Sequence, residues 1–177
     1  MKNRILTLLF VLGLLSLTES CTKLKETVLD ESSVTGLTEK QIADGTIAPV
    51  YAQLPNIFIH TGLFALQEIT TDEAILPYRG GTDWGDNGIY LDLHRHQTTS
   101  NNAPVRNTWN PITQSLSRAV SAISSLQGSK DPNAAKYIAE AKGMYAFYNM
   151  LVLDLWGVIF VKEDPGATSK VVRGEEA

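Results

Sequence analysis

Two apolar stripes at helical spacing, separated by only a few residues, constrain this chain more than any other feature. Val105, Trp109, Ile112, Leu116, Ala119, Val120, Ile123 and Leu126 recur at steps of three and four residues, sustained over about six turns. Ser and Arg occupy the other face, so the spacing predicts a helix that packs on one side only. Pro111 lies early in the stripe and moves the expected start toward Asn110. Gly128, Ser129 and Lys130 end it, and Asp131-Pro132 then reads as an N-cap followed by proline at the first helical position. The second stripe, Ala135, Ile138, Ala141, Tyr145, Tyr148, Leu151, Val152 and Leu155, stops at Gly157. So short a connection forces the two helices to run antiparallel.

The flanks add smaller elements. Thr38-Glu39-Lys40-Gln41 has the form of a capping box, and Ile42, Ile47, Val50, Tyr51 and Leu54 follow at roughly helical spacing, which predicts a helix to about Leu54 that Pro49 kinks or divides. A short helix is expected over Gly62 to Ile69, and a short extended run over Val158 to Val161, closed by Asp164-Pro165-Gly166 and followed by a polar tail. Thr70 to Pro104 is an irregular connection carrying Gly80, Gly81, Gly85 and Gly88 with Tyr78, Trp84 and Tyr90; connections this long usually have a job. Small residues such as Ala134, Ala139, Gly143 and Ala146 allow close helix approach, as in tetratricopeptide-type pairs. The expected fold class is therefore mainly α, tetratricopeptide-like helical hairpins with a long glycine- and aromatic-containing loop.

The start of the chain reads as a targeting segment. Lys2 and Arg4 precede a largely apolar run from Ile5 to Leu17, too short for the ~20 apolar residues of a permanent membrane helix, so residues 1–20 are expected to be a signal peptide. The run ends at Leu17-Thr18-Glu19-Ser20-Cys21, and a cysteine at that point resembles the bacterial lipobox, in which the thiol is acylated and begins the mature chain. Acyl chains contribute ~0.8 kcal/mol per buried methylene and would anchor a soluble domain at a membrane. Residues 21–37 would then be the acylated cysteine and a flexible tether rich in Ser, Thr, Glu and Asp, with the folded portion over 38–177. Cys21 is the single cysteine, which excludes an internal disulfide and a cysteine-built zinc site. The 15 basic and 19 acidic residues give a net charge of −4, which argues against a nucleic-acid partner.

Ligand capture without catalysis needs flat aromatic faces flanked by polar groups. Trp84 in Gly80-Gly81-Thr82-Asp83-Trp84-Gly85-Asp86-Asn87 fits, with Arg79, Asp83, Asp86 and Asn87 as polar neighbours and Tyr78 and Tyr90 as weaker aromatic candidates; the competing reading is that Trp84 tucks inward to anchor the loop. His94-x-His96 is read as structural or surface histidines, since His60 is the third histidine and lies far off in sequence, and Asp83 to Gly88 lacks the spacing of a calcium loop; no metal and no cofactor are expected. Trp109, Tyr145 and Tyr148 lie on core stripes and read as packing. The chain has no nucleophile elbow, phosphate-cradling loop or Cys/His pair, and adjacent Asp72 and Glu73 point apart on an extended chain, so it is not expected to be an enzyme.

The order of these features resembles the amino-terminal part of SusD/RagB-like outer-membrane nutrient-binding lipoproteins of Bacteroidetes. The likeness rests on the lipoprotein-like start ending in Cys21, on Ala48-Pro49-Val50-Tyr51-Ala52-Gln53-Leu54, on Thr71-Asp72-Glu73-Ala74, on Trp84, Leu93-His94-Arg95-His96 and Trp109, and on Glu140 to Tyr148 running to Leu155-Trp156-Gly157-Val158. Family members typically show Glu-Ala-x-x-x-Arg-Ala-x-Tyr leading to Trp-Gly-x-aliphatic-Pro; here Tyr145 stands where Arg is usual and Phe160 where Pro is common. The resemblance covers most of residues 17–177 and implies an incomplete member, since the family is much longer. It implies non-catalytic cell-surface binding of glycan or oligopeptide nutrients, delivery to a SusC-like TonB-dependent outer-membrane transporter, and a lipid-anchored place in the outer membrane. The alternative is a helical scaffold that binds a protein partner and captures no ligand.

Overall fold

The computed structural model describes residues 36–81 and 86–174. The expected signal segment and Cys21, and within the long loop Asp83 and Trp84, lie outside the described residues. The described part is mainly helical, as expected. In chain order it comprises α1 (Glu39–Tyr51), α2 (Leu54–Ile57), α3 (Leu63–Glu68), a 3-10 turn at Asp86–Gly88, α4 (Leu91–His94), α5 (Ala103–Leu126), α6 (Ala134–Trp156), β1 (Val158–Val161) and β2 (Lys170–Arg173).

The α1 helix starts where the capping box predicts. The Thr38 hydroxyl accepts from the Gln41 N–H at 3.2 Å, and the Gln41 side chain accepts from the Thr38 N–H at 2.9 Å. Pro49 is carried inside the last turn of α1 and does not divide it; the break falls after Tyr51, and the chain restarts as α2 with Pro55 in its first turn, whose ring cannot continue a helix past the Tyr51 carbonyl. The last carbonyls of α1 also accept hydrogen bonds from the neighbouring helices. The Tyr148 hydroxyl donates to the Val50 carbonyl at 2.6 Å, and Arg118 donates to the Pro49 carbonyl at 3.4 Å. Burial pushes the Tyr148 phenol above its ordinary pKa.

The long hairpin forms as its stripes require, with three corrections. Helix α5 begins at Ala103, not near Asn110, because Pro104 fills a first-turn position and Pro111 is carried inside the helix. It also packs on two sides rather than one. Pro104, Thr108, Pro111, Ser115 and Ala122 are buried beside the expected stripe, and the Thr108 hydroxyl is satisfied within the helix by donating to the Pro104 carbonyl at 2.9 Å. Helix α6 begins at Ala134, two residues later than expected, because the Asp131 carboxylate accepts the Asn133 N–H at 2.7 Å and closes a turn around Pro132. Ala134 is consequently buried and Ala135 exposed. The helix stops at Gly157, which takes the left-handed conformation at φ 65°.

The main core joins α1, α2, α5 and α6 through Val50, Ile57, Ile112, Leu116, Tyr148 and Val152. Trp109 meets Trp156 edge-on at 4.9 Å and Phe160 at 5.7 Å, confirming Trp109 as a packing residue. The polar tail contains a second strand that the sequence reading omits. β2 pairs antiparallel with β1 in the register Val158↔Arg173 to Val161↔Lys170. The other edge of β1 is closed by α6. Asn149 Oδ1 accepts the Phe160 N–H at 2.8 Å and Asn149 Nδ2 donates to the Phe160 carbonyl at 3.1 Å; the Tyr145 hydroxyl donates to the same carbonyl and accepts the Lys162 N–H at 3.0 Å. No helix among the described residues is long and apolar enough to cross a membrane.

Candidate functional site

The long loop has a small core of its own. Ala65 of α3 and Ile69 at its C-cap pack with Tyr90 and Leu93 around α4, and Leu66, Ala74, Leu76 and Ile89 close the cluster. Among the described residues, the loop is therefore anchored by Ala74 and Leu76 on one side and by Ile89, Tyr90 and Leu93 on the other. Its far end is tied down by Asn102, whose Nδ2 donates to Asp92 Oδ2 at 3.1 Å.

Asp86 is the polar centre of the loop. The Tyr90 hydroxyl donates to Asp86 Oδ2 at 2.6 Å, and His60 Nε2 lies 3.1 Å from the same oxygen. Burial, then the hydrogen bond to Asp86 and its charge, push the Tyr90 phenol well above its ordinary pKa. Tyr90 is only 1% exposed, so this aromatic candidate is an anchor and presents no face to a ligand. Asp86 and Asn87 both take left-handed backbone, at φ 44° and 58°, a conformation that Asp and Asn tolerate better than most residues.

Tyr78 behaves differently. A Cβ built on Gly88, itself at φ 79°, would sit 3.2 Å from Tyr78 Cγ, so the ring rests directly on the Gly88 backbone. The ring nevertheless remains 40% exposed. Of the expected site residues, the structure brings Tyr78, Asp86 and Asn87 to one turn, with Arg79 exposed next to Tyr78 and Asn87 also exposed. Asp86 is engaged by Tyr90 and His60, so its main work is to hold the turn. No group of three or more His, Cys, Asp or Glu among the described residues is arranged to hold a metal ion.

A second feature escaped the sequence reading. A cleft of about 350 Å³ opens between the segment around α2 and the first half of α5. Its walls carry side-chain amides: Gln53 and Asn56 on one side, Asn107, Asn110 and Gln114 on the other. Ile59 and Thr61 also line it, and His60 between them is the residue that reaches Asp86, so the cleft wall and the loop are joined through one side chain. The available signal was the spacing of Asn107, Asn110 and Gln114, which places three amides on one helical face, separate from the apolar stripe. Comparison of the chain with protein-family models, with curated proteins and with solved structures returned no match.

Proposed function

We propose that this chain is a non-catalytic, lipid-anchored binder of glycan or oligopeptide nutrients at the cell surface, working with a TonB-dependent outer-membrane transporter. The observation that carries the reading is Tyr78: an aromatic ring backed by glycine, 40% exposed, on a turn held by Asp86. A ring presented on a stiff support stacks on a sugar or a peptide side chain with little ordering cost. Asn87 and Arg79 beside it, with Asp83 and Trp84 in the adjoining segment, would supply polar and aromatic contacts. In this reading α5 and α6 form a tetratricopeptide-like hairpin that supports the loop, residues 1–20 are removed, and acylated Cys21 anchors the protein in the outer membrane. The test is binding of the chain to a panel of oligosaccharides and oligopeptides, with Tyr78→Ala and Trp84→Ala. Unchanged affinity in both variants removes the loop from ligand capture, and loss of fatty-acid labelling in Cys21→Ala checks the anchor.

One observation favours a second reading, a scaffold that binds a protein partner only. Phe58 and Phe147 stack with ring centroids 6.4 Å apart, Phe58 is exposed, and the exposed Met150 and Leu153 follow Phe147 at steps of three along α6. Apolar side chains grouped in this way mark protein contact surfaces. Co-purification with a transporter, without retention of any glycan or peptide, would decide for it.

A further inference from the structure

We infer that the amide-lined cleft between the α2 segment and α5 is a binding site for a neutral carbohydrate, separate from the aromatic loop. The inference deepens the nutrient-capture reading, on which its biological sense rests, by naming the ligand class and a second place where it is held.

The cleft walls are organised by a chain of side-chain amides. Asn56 Nδ2 donates to Gln53 Oε1 at 2.7 Å, and Gln53 Nε2 donates to Gln114 Oε1 at 3.3 Å. This chain spans from α2 to α5 and ends in an acceptor, Asn56 Oδ1, and in the donor NH₂ of Gln114. Asn107 Nδ2 donates to the Thr61 carbonyl at 3.1 Å, which leaves its Oδ1 as a further acceptor. Pro111 has no N–H, so the Asn107 carbonyl lacks its usual helical donor four residues on.

The result is a set of fixed, uncharged donors and acceptors mixed at close quarters. A hydroxyl can donate and accept at one atom, so a ring bearing several hydroxyls matches such a set in many orientations. Ile59 and Pro111 supply the apolar contact that the C–H face of a sugar needs. Charge argues the same way. Arg106 is the one charged residue on the wall, and its guanidinium already donates to the Asn101 carbonyl at 2.6 Å. Among the described lining residues there is no carboxylate, so the amino terminus of a peptide would find no charge partner among them. The volume of about 350 Å³ lies within the range of small-molecule sites and suits a compact ring better than an extended chain.

The experiment is saturation-transfer NMR and titration of the whole chain with glucose, galactose, mannose, xylose, N-acetylglucosamine and their disaccharides, with trialanine as the peptide arm. Asn110→Ala and Gln114→Ala alter exposed residues, and circular dichroism confirms that each is folded. At least one sugar is expected to bind, roughly fivefold more weakly in each variant, as removal of about one neutral hydrogen bond requires. Pro111→Ala, which returns a donor to the Asn107 carbonyl, is expected to weaken binding as well. No sugar bound by the folded chain, wild-type affinity in both amide variants, or binding of trialanine alone would each overturn the inference. Sugar binding lost in Trp84→Ala and kept in Gln114→Ala overturns the cleft and leaves the loop reading standing; the reverse pattern supports the cleft and removes the loop.

Discussion

Asn149 offers the sharpest test of how this fold is held together. It is buried on α6 and satisfies both backbone groups of Phe160, accepting the N–H at 2.8 Å and donating to the carbonyl at 3.1 Å. The two losses in Asn149→Ala are unequal. The carbonyl keeps the Tyr145 hydroxyl, so its lost bond costs about 1 kcal/mol, whereas the N–H faces away from β2 and is left without a partner, which costs roughly 1–3 kcal/mol. The expected destabilisation is about 2–4 kcal/mol. For a chain of this size that lowers the melting temperature by roughly 4–16 °C. Asn149→Asp separates the two terms. Its carboxylate still accepts the N–H but sets a second oxygen against the Phe160 carbonyl, so folding favours the protonated acid and raises its pKa. A group with a raised folded pKa stabilises below its unfolded value and loses that contribution as pH rises, so this variant should recover relative to wild type from pH 7 down to pH 4. Thermal melts followed by circular dichroism measure the stabilities, and hydrogen exchange reads the Phe160 amide directly. A loss under ~0.5 kcal/mol in Asn149→Ala, or unchanged protection at Phe160, would refute the assignment of this amide as the edge cap of β1.

Two further outcomes follow from the geometry. Gly88→Ala places a Cβ 3.2 Å from Tyr78 Cγ at a φ of 79°, so it should cost about 1–2 kcal/mol in a melt and shift the Tyr78 ring resonances in the NMR spectrum; an unshifted ring would show that Tyr78 does not rest on that backbone. Tyr51 is pushed up to about 12 by burial first and then by the hydrogen bond from its hydroxyl to Glu140 Oε1 at 2.6 Å. Its contribution is therefore complete below pH 10 and lost as pH rises toward 12, and Tyr51→Phe should flatten the alkaline fall in stability, read from melts across that window.

What the sequence revealed was local. The capping box of α1, the left-handed stop at Gly157 and the short helix from Leu63 all depend on residues a few positions apart, and each was found where expected. The features missed are pairings between distant positions. Asp86 holds the loop through His60, 26 residues earlier in the chain, and the amide chain of the cleft joins Gln53 to Gln114 across 61. No periodicity reports such distances, because a lone Asn or Gln on a helix looks the same whether it faces water or a neighbouring segment. β2 was hidden for a related reason: Lys170-Val171-Val172-Arg173 buries only Val172, and its strand character comes from pairing with β1.

The same logic makes Tyr145 and Phe160 interdependent. A proline at 160 would have no N–H, and the Oδ1 of Asn149 would face nothing it could accept. An arginine at 145 has donors only, and could not accept the Lys162 N–H as the Tyr145 hydroxyl does. Tyr145 and Phe160 are thus coupled through Asn149, which pairs with both backbone groups of Phe160 and shares its carbonyl with the Tyr145 hydroxyl. Phe160→Pro or Tyr145→Arg alone would each unpair a part-buried group that the present combination satisfies.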